Sequence, residues 1–126
     1  MQLPGSRERA RRINCAGNLK SLGLALRMYG GDHSERFPDG LSLSFVWDYH
    51  PTMADYTCPS TSTEHASRPE AFRPDQHSDY LYFGKGLTEA CQGYGMESTI
   101  IACDKPGNHR RFFNVMVANG WTRGFE

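Results

Sequence analysis

Asp104 and His109 bracket a short loop, Asp104-Lys105-Pro106-Gly107-Asn108-His109, and Cys103 directly precedes it. A thiolate, a carboxylate and an imidazole are ligand types that hold transition metals. Metal ligation at Asp104 and His109, with Cys103 as a third donor, is therefore one reading. The other, adopted here, is that Asp104 and His109 close the loop by hydrogen bonding to backbone. Asp32 and Asp39 lie in a second polar loop. Calcium wants six or more oxygens, and no loop is dense enough in carboxylates to supply them.

Nucleophilic catalysis has little support. Ser, His and Asp are all present, but no Gly-x-Ser-x-Gly elbow occurs. His33, His50, His65, His77 and His109 are scattered, mostly among polar residues. Gly84-Lys85-Gly86 is too short for a phosphate loop. No catalytic residue, resident metal or cofactor is expected. His109-Arg110-Arg111-Phe112-Phe113 mixes basic and aromatic side chains, as nucleic-acid surfaces do. The whole chain is balanced, however, with 14 Lys plus Arg against 14 Asp plus Glu. That balance gives no reason to expect a nucleic-acid partner.

Cys15, Cys58, Cys91 and Cys103 form no Cys-x-x-Cys pair, so the common zinc and redox spacings are missing. Four cysteines allow three pairings. Two disulfides, four reduced core thiols and a metal site all remain open. Disulfides would imply an oxidising compartment.

Stepping along the chain, Cys15, Leu19, Leu22, Leu26 and Tyr29 advance by four, three, four and three residues, one stripe of a helix. Leu24, Ala25 and Met28 are expected to widen it. Ser6 is the expected N-cap, and Gly30-Gly31 the expected stop after Tyr29. Gly17 and Gly23 weaken the helix, so close packing of the sheet or of neighbouring subunits is their expected use. Phe37-Pro38 should anchor the loop that follows. Leu41, Leu43, Phe45 and Trp47 alternate with polar or small residues, which favours a short strand; a helical turn at 45–49 is the alternative. The stretch from Thr57 to Ser78, rich in Pro, Ser, Thr and His, reads as a long excursion pinned at Cys58-Pro59. Strands are expected at 79–83, 98–103, 112–118 and 121–125, with Asn119-Gly120 as a type I′ hairpin turn. The fold class is α+β: one long N-terminal helix packed on a three- to four-stranded antiparallel sheet.

Residues 10–29, from Ala10-Arg11-Arg12-Ile13-Asn14-Cys15 to Leu26-Arg27-Met28-Tyr29, followed by Asp32 and Phe37-Pro38, closely resemble bacterial type II secretion pseudopilins. The resemblance is to the branch with a C-terminal His-x9-Asp-Gly motif. Cys58-Pro59, Ser78-Asp79-Tyr80-Leu81-Tyr82 and Asp104 to His109 match it further. His109 is followed by nine residues and then Asn119-Gly120. Asn119 replaces the family's Asp and Trp121 its frequent His, so a metal or acid–base role at those positions does not carry over.

The resemblance implies a pilin-like fold and a structural, non-enzymatic role. Residues 1–126 would form a single pseudopilin-like domain. Its parts would be the C-terminal half of a spine helix at 1–29, a loop-rich region with one short strand at 30–78, and the sheet at 79–126. Partners would be other pseudopilin subunits, through the helix, and components of the secretion machine. The membrane would be met only by an apolar N-terminal segment, of which Leu3-Pro4 looks like the tail, so a soluble truncated form is expected. The precursor would be anchored in the inner membrane with a periplasmic head, then processed, methylated and assembled into a periplasmic filament. Within this reading Cys15 is expected to pair with Cys58, and Cys91 with Cys103. Rival readings are a secreted or surface ligand-binding module using the 57–78 loop with Trp47 or Trp121, and a small metal-dependent enzyme using Asp104 and His109.

Overall fold

The computed structural model describes residues 5–88 and 99–126. A 27-residue helix, α1 (Ser6–Asp32), lies on a four-stranded antiparallel sheet of strand order β1-β2-β3-β4. The strands are β1 (Tyr80–Tyr82), β2 (Ile100–Asp104), β3 (Phe113–Val117) and β4 (Thr122–Phe125). This is a pilin-like α+β arrangement. Between helix and sheet, the chain forms α2 (Leu43–Tyr49), one 3-10 turn at Met53–Tyr56, another at Pro69–Ala71, and α3 (Pro74–His77).

The core forms where the helical stripe meets the sheet. Cys15, Leu19, Leu22, Ala25 and Leu26 are buried against Tyr80, Ile101, Ala102 and Met116. Leu24 and Met28 depart from expectation: they are 64% and 57% exposed. At 3.6 residues per turn, Leu24 points about 200° away from Leu22, so only Ala25 of the three widens the stripe. Gly23 and Gly17 also separate. A Cβ on Gly23 would come 3.2 Å from the Met116 sulfur, whereas one on Gly17 would meet nothing. Gly23 therefore lets the helix approach β3, and Gly17 opens outward. Replacing Gly17 with Ala should raise the unfolding free energy of the isolated chain by about 0.5–1 kcal/mol, readable in a urea melt. A destabilising result would show that Gly17 meets a packing constraint in the monomer.

The helix ends differ from expectation by a few residues. Gly5, not Ser6, occupies the N-cap position and contributes no side-chain bond. The helix continues through Gly30-Gly31 to Asp32, and the left-handed residues beyond it are Ser34 and Glu35. The Glu35 amide donates to the Gly30 carbonyl at 2.7 Å, while the His33 ring stacks on Tyr29 at 3.7 Å. These contacts hold the last turn where glycine alone would have released it.

The expected strand at Leu41–Trp47 is instead α2. The Ser42 hydroxyl caps it by accepting from the Phe45 amide, and Phe45 and Val46, adjacent in sequence, are both buried. Strict alternation would have sent one of them to solvent. Phe45 and Tyr49, one turn apart, pack edge-on against Tyr29 of α1. Phe37 and Pro38 are buried as expected, and the Tyr82 hydroxyl donates to the Pro38 carbonyl.

In the sheet, Tyr80 pairs with Asp104, Leu81 with Cys103, and Cys103 with Val115. A bulge between Ile100 and Ala102 lets Ile101 and Ala102 both be buried, against simple alternation. The β3–β4 hairpin has three loop residues. The Gly120 amide donates to the Val117 carbonyl and Val117 pairs with Trp121. Gly120 has φ 91° but Asn119 has no positive φ. A type I′ turn needs both positive, so this connection is a turn closed by a left-handed glycine, not the two-residue turn expected.

Candidate functional site

The residues with the most chemistry meet beneath the N-terminal half of α1. Glu8 and Cys15 are seven residues apart and so share a helix face. Cys58 comes from the start of the long excursion, Asp104 from the end of β2, and His109 from the loop that follows. Cys15 and Cys58 form a disulfide with Cα atoms 5.5 Å apart, within the usual range. One ligand atom from each of Cys15, Cys58, Asp104 and His109 lies within 4.8 Å of the others, and all four residues are buried.

Asp79 seats Cys58. One of its carboxylate oxygens accepts from the Cys58 amide at 2.7 Å and the Thr61 hydroxyl at 2.6 Å. The other accepts from the Thr63 hydroxyl at 2.7 Å. This explains why a Ser/Thr-rich stretch returns to the core: its hydroxyls solvate a buried carboxylate. Asp104 organises the opposite wall. Its Oδ2 accepts from the Asn114 amide at 2.7 Å and the Asn114 side chain at 3.2 Å. Its Oδ1 accepts from Asn108 Nδ2 at 3.1 Å, and that group also donates to the Asp79 carbonyl. Asp104 thus ties the loop to β3, through the Asn108 side chain within the loop and the Asn114 amide beyond it, not through the loop backbone that was expected.

His109 makes no such backbone bond among the described contacts. Its Nδ1 lies 2.8 Å from a Glu8 carboxylate oxygen. Its Nε2 faces inward, 3.4 Å from Cys58 Sγ and 3.7 Å from Asp104 Oδ2. The side chains of His109 and Asp104 are both 0% exposed. Burial acts to raise the Glu8 carboxyl, but hydrogen bonds from His109 and Ser60, with the charges of His109 and Arg12, outweigh it and hold Glu8 below the usual carboxylate range. Arg11 and Arg12 flank Glu8 at 3.6 and 3.7 Å.

Cys103 does not join this group. It neighbours Asp104 on β2, and adjacent strand residues face opposite sides of a sheet. Cys103 lies beside Val115 and Leu81, is half-buried, and has no disulfide partner among the described residues. Burial, then the nearby Asp104 charge, push its thiol upward. Its expected partner, Cys91, lies outside the described residues. The expected Cys15–Cys58 pairing is present; Glu8 is the member sequence reasoning left out, and neither Glu8 nor Cys15 was placed with His109. Their seven-residue spacing on one helix face was the available signal, but nothing local linked them to His109.

Among the described residues, no helix is long and apolar enough to cross a membrane. Residues 5–46 match the model of a family described as protein of unknown function, DUF1559, a family of pilin-like, prepilin-like proteins. The match covers α1, the loop after it and the first half of α2. No curated protein and no solved structure matches the chain.

Proposed function

We propose that this chain is the head of a pilin-like filament subunit, in particular a type II secretion pseudopilin, which packs against other subunits through α1. The observation that carries this reading is the second face of α1. Ile13, Gly17, Leu24 and Met28 advance by four, seven and four residues, a stripe roughly opposite the core stripe. Ile13, Leu24 and Met28 are all large apolar residues left in water. Exposed Gly17 between them permits close approach of a neighbouring helix. The Ser6–Asn14 part of α1 meets the head through Glu8 and Arg12 but has no fully buried residue, which leaves most of its surface for neighbouring subunits. The family match at residues 5–46 falls on this same element.

In this reading the helix continues upstream into an apolar membrane anchor, and the head faces the periplasm. The role is structural: the side chains of Asp104 and His109 are enclosed by the described residues, which favours a structural part for them over the metal-dependent enzyme.

The test uses the precursor encoded by the intact gene, expressed with its prepilin peptidase. Cleavage and recovery of the chain in sheared filaments are expected. Ile13→Ser, Leu24→Ser and Met28→Ser together should leave the head folded, since exposed substitutions change stability by roughly 0.5 kcal/mol or less each. Incorporation into filaments should fall about tenfold or more, the effect of losing ~1.4 kcal/mol at the packing seam. A precursor that is not cleaved, or a triple variant that assembles like the parent, overturns the proposal.

A further inference from the structure

The Cys15–Cys58–Asp104–His109 group holds an arrangement that the disulfide alone does not explain. In the tautomer whose Nδ1–H donates to Glu8, His109 presents a lone pair at Nε2. That lone pair then faces two sulfurs and the Asp104 carboxylate, an all-acceptor pocket enclosed by protein. Asn108 occupies one acceptor position on Asp104 Oδ1 and the Asn114 amide and side chain two on Oδ2, so a cation beside Oδ2 takes the place of the longer, 3.2 Å bond from the Asn114 side chain. A cation satisfies all four groups at once.

Two of the donor separations already match a particular kind of cation, and reduction frees the two sulfurs to part. Tetrahedral zinc with ligands at ~2.0–2.3 Å separates its donor atoms by about 3.3–3.8 Å. The Cys58 Sγ to His109 Nε2 and His109 Nε2 to Asp104 Oδ2 distances, 3.4 and 3.7 Å, fall in that interval. Two thiolates, an imidazole and a carboxylate form a mixed donor set suited to zinc. Glu8 on Nδ1 is the outer carboxylate that metal-bound histidines commonly carry, fixing tautomer and ring orientation. Arg11 and Arg12 offset the negative charge that two thiolates, Asp104 and Glu8 would leave around a divalent ion.

We propose that Cys15, Cys58, Asp104 and His109 form a tetrahedral Zn2+ site in the reduced chain, and that the Cys15–Cys58 disulfide closes this site in the oxidised chain. The metal and the disulfide compete for the same two sulfurs. A dithiol reductant supplies two electrons and two protons to the S–S bond and becomes a disulfide itself. Cys15 and Cys58 emerge as thiols, and Zn2+ then displaces one proton from each as the two Zn–S bonds form. The proposal does not depend on the filament reading.

The test is zinc uptake by the full chain carrying Cys91→Ser and Cys103→Ser, measured anaerobically against a chromophoric chelator. The reduced chain should bind one equivalent, and the oxidised chain none. Co2+ in place of zinc should show the strong visible absorption of a tetrahedral site together with thiolate-to-metal charge transfer. His109→Gln should abolish tight binding. Glu8→Gln keeps every ligand and should weaken binding about 10–100-fold while far-UV circular dichroism stays unchanged. No uptake by the reduced chain, uptake equal in the oxidised chain, or parental affinity in His109→Gln would each overturn the site.

Discussion

Opening the Cys15–Cys58 disulfide in metal-free buffer is expected to lower stability by about 4 kcal/mol. The two residues are 43 positions apart, and chain entropy assigns roughly this value to a loop of that length. For a chain of 126 residues the loss corresponds to a fall in Tm of about 15 °C. The bond joins the middle of α1 to the start of a long irregular segment, so the reduced chain must order that segment without a covalent tie. Thermal melts with and without a dithiol, both with chelator present, measure the effect, and the Cys15→Ala, Cys58→Ala double variant should reproduce it. A change under about 1 kcal/mol would mean that the Asp79 and Glu8 hydrogen bonds already hold the junction. Adding zinc to the reduced chain should recover part of the loss, because a ligand that binds only the folded state stabilises it.

Asp104→Ala is expected to cost about 3 kcal/mol. The substitution removes a buried carboxylate, orphans the Asn114 amide and leaves Asn108 Nδ2 only its bond to the Asp79 carbonyl. Hydrogen bonds to a charged group are worth about 1.5–3 kcal/mol, and a stranded buried donor costs ~1–3 kcal/mol. Asp104→Asn should cost less, about 1–2 kcal/mol, since one oxygen still accepts while its new amide faces donors. Urea unfolding with an unchanged slope would read both. An Ala variant within about 1 kcal/mol of the parent would show that the loop holds its shape without the carboxylate.

Local patterns carried much of this architecture. The four-and-three spacing of Cys15, Leu19, Leu22 and Leu26 defined the core face of α1, because a helix repeats every 3.6 residues whatever lies beyond it. Runs of β-branched and aromatic residues between turn residues located all four strands to within two residues. The Leu41–Trp47 segment misled because alternation in so short a window also fits one helical turn. Packing of Phe45 and Tyr49 against Tyr29 decided it. Cys103 misled in the same way: it is the sequence neighbour of Asp104, but the pleat turns it to the other face.

The amino-acid order by itself determined the long helix and the strands, because each depends on residues within a few positions of one another. Only the tertiary structure decided that Glu8 would meet His109, 101 residues away, and that Cys15 and Cys58 would share a pocket with Asp104. Those meetings depend on where α1 crosses the sheet. That crossing is set by burying Leu19, Leu22 and Leu26 against Ile101 and Met116, a condition that no local stretch of chain expresses.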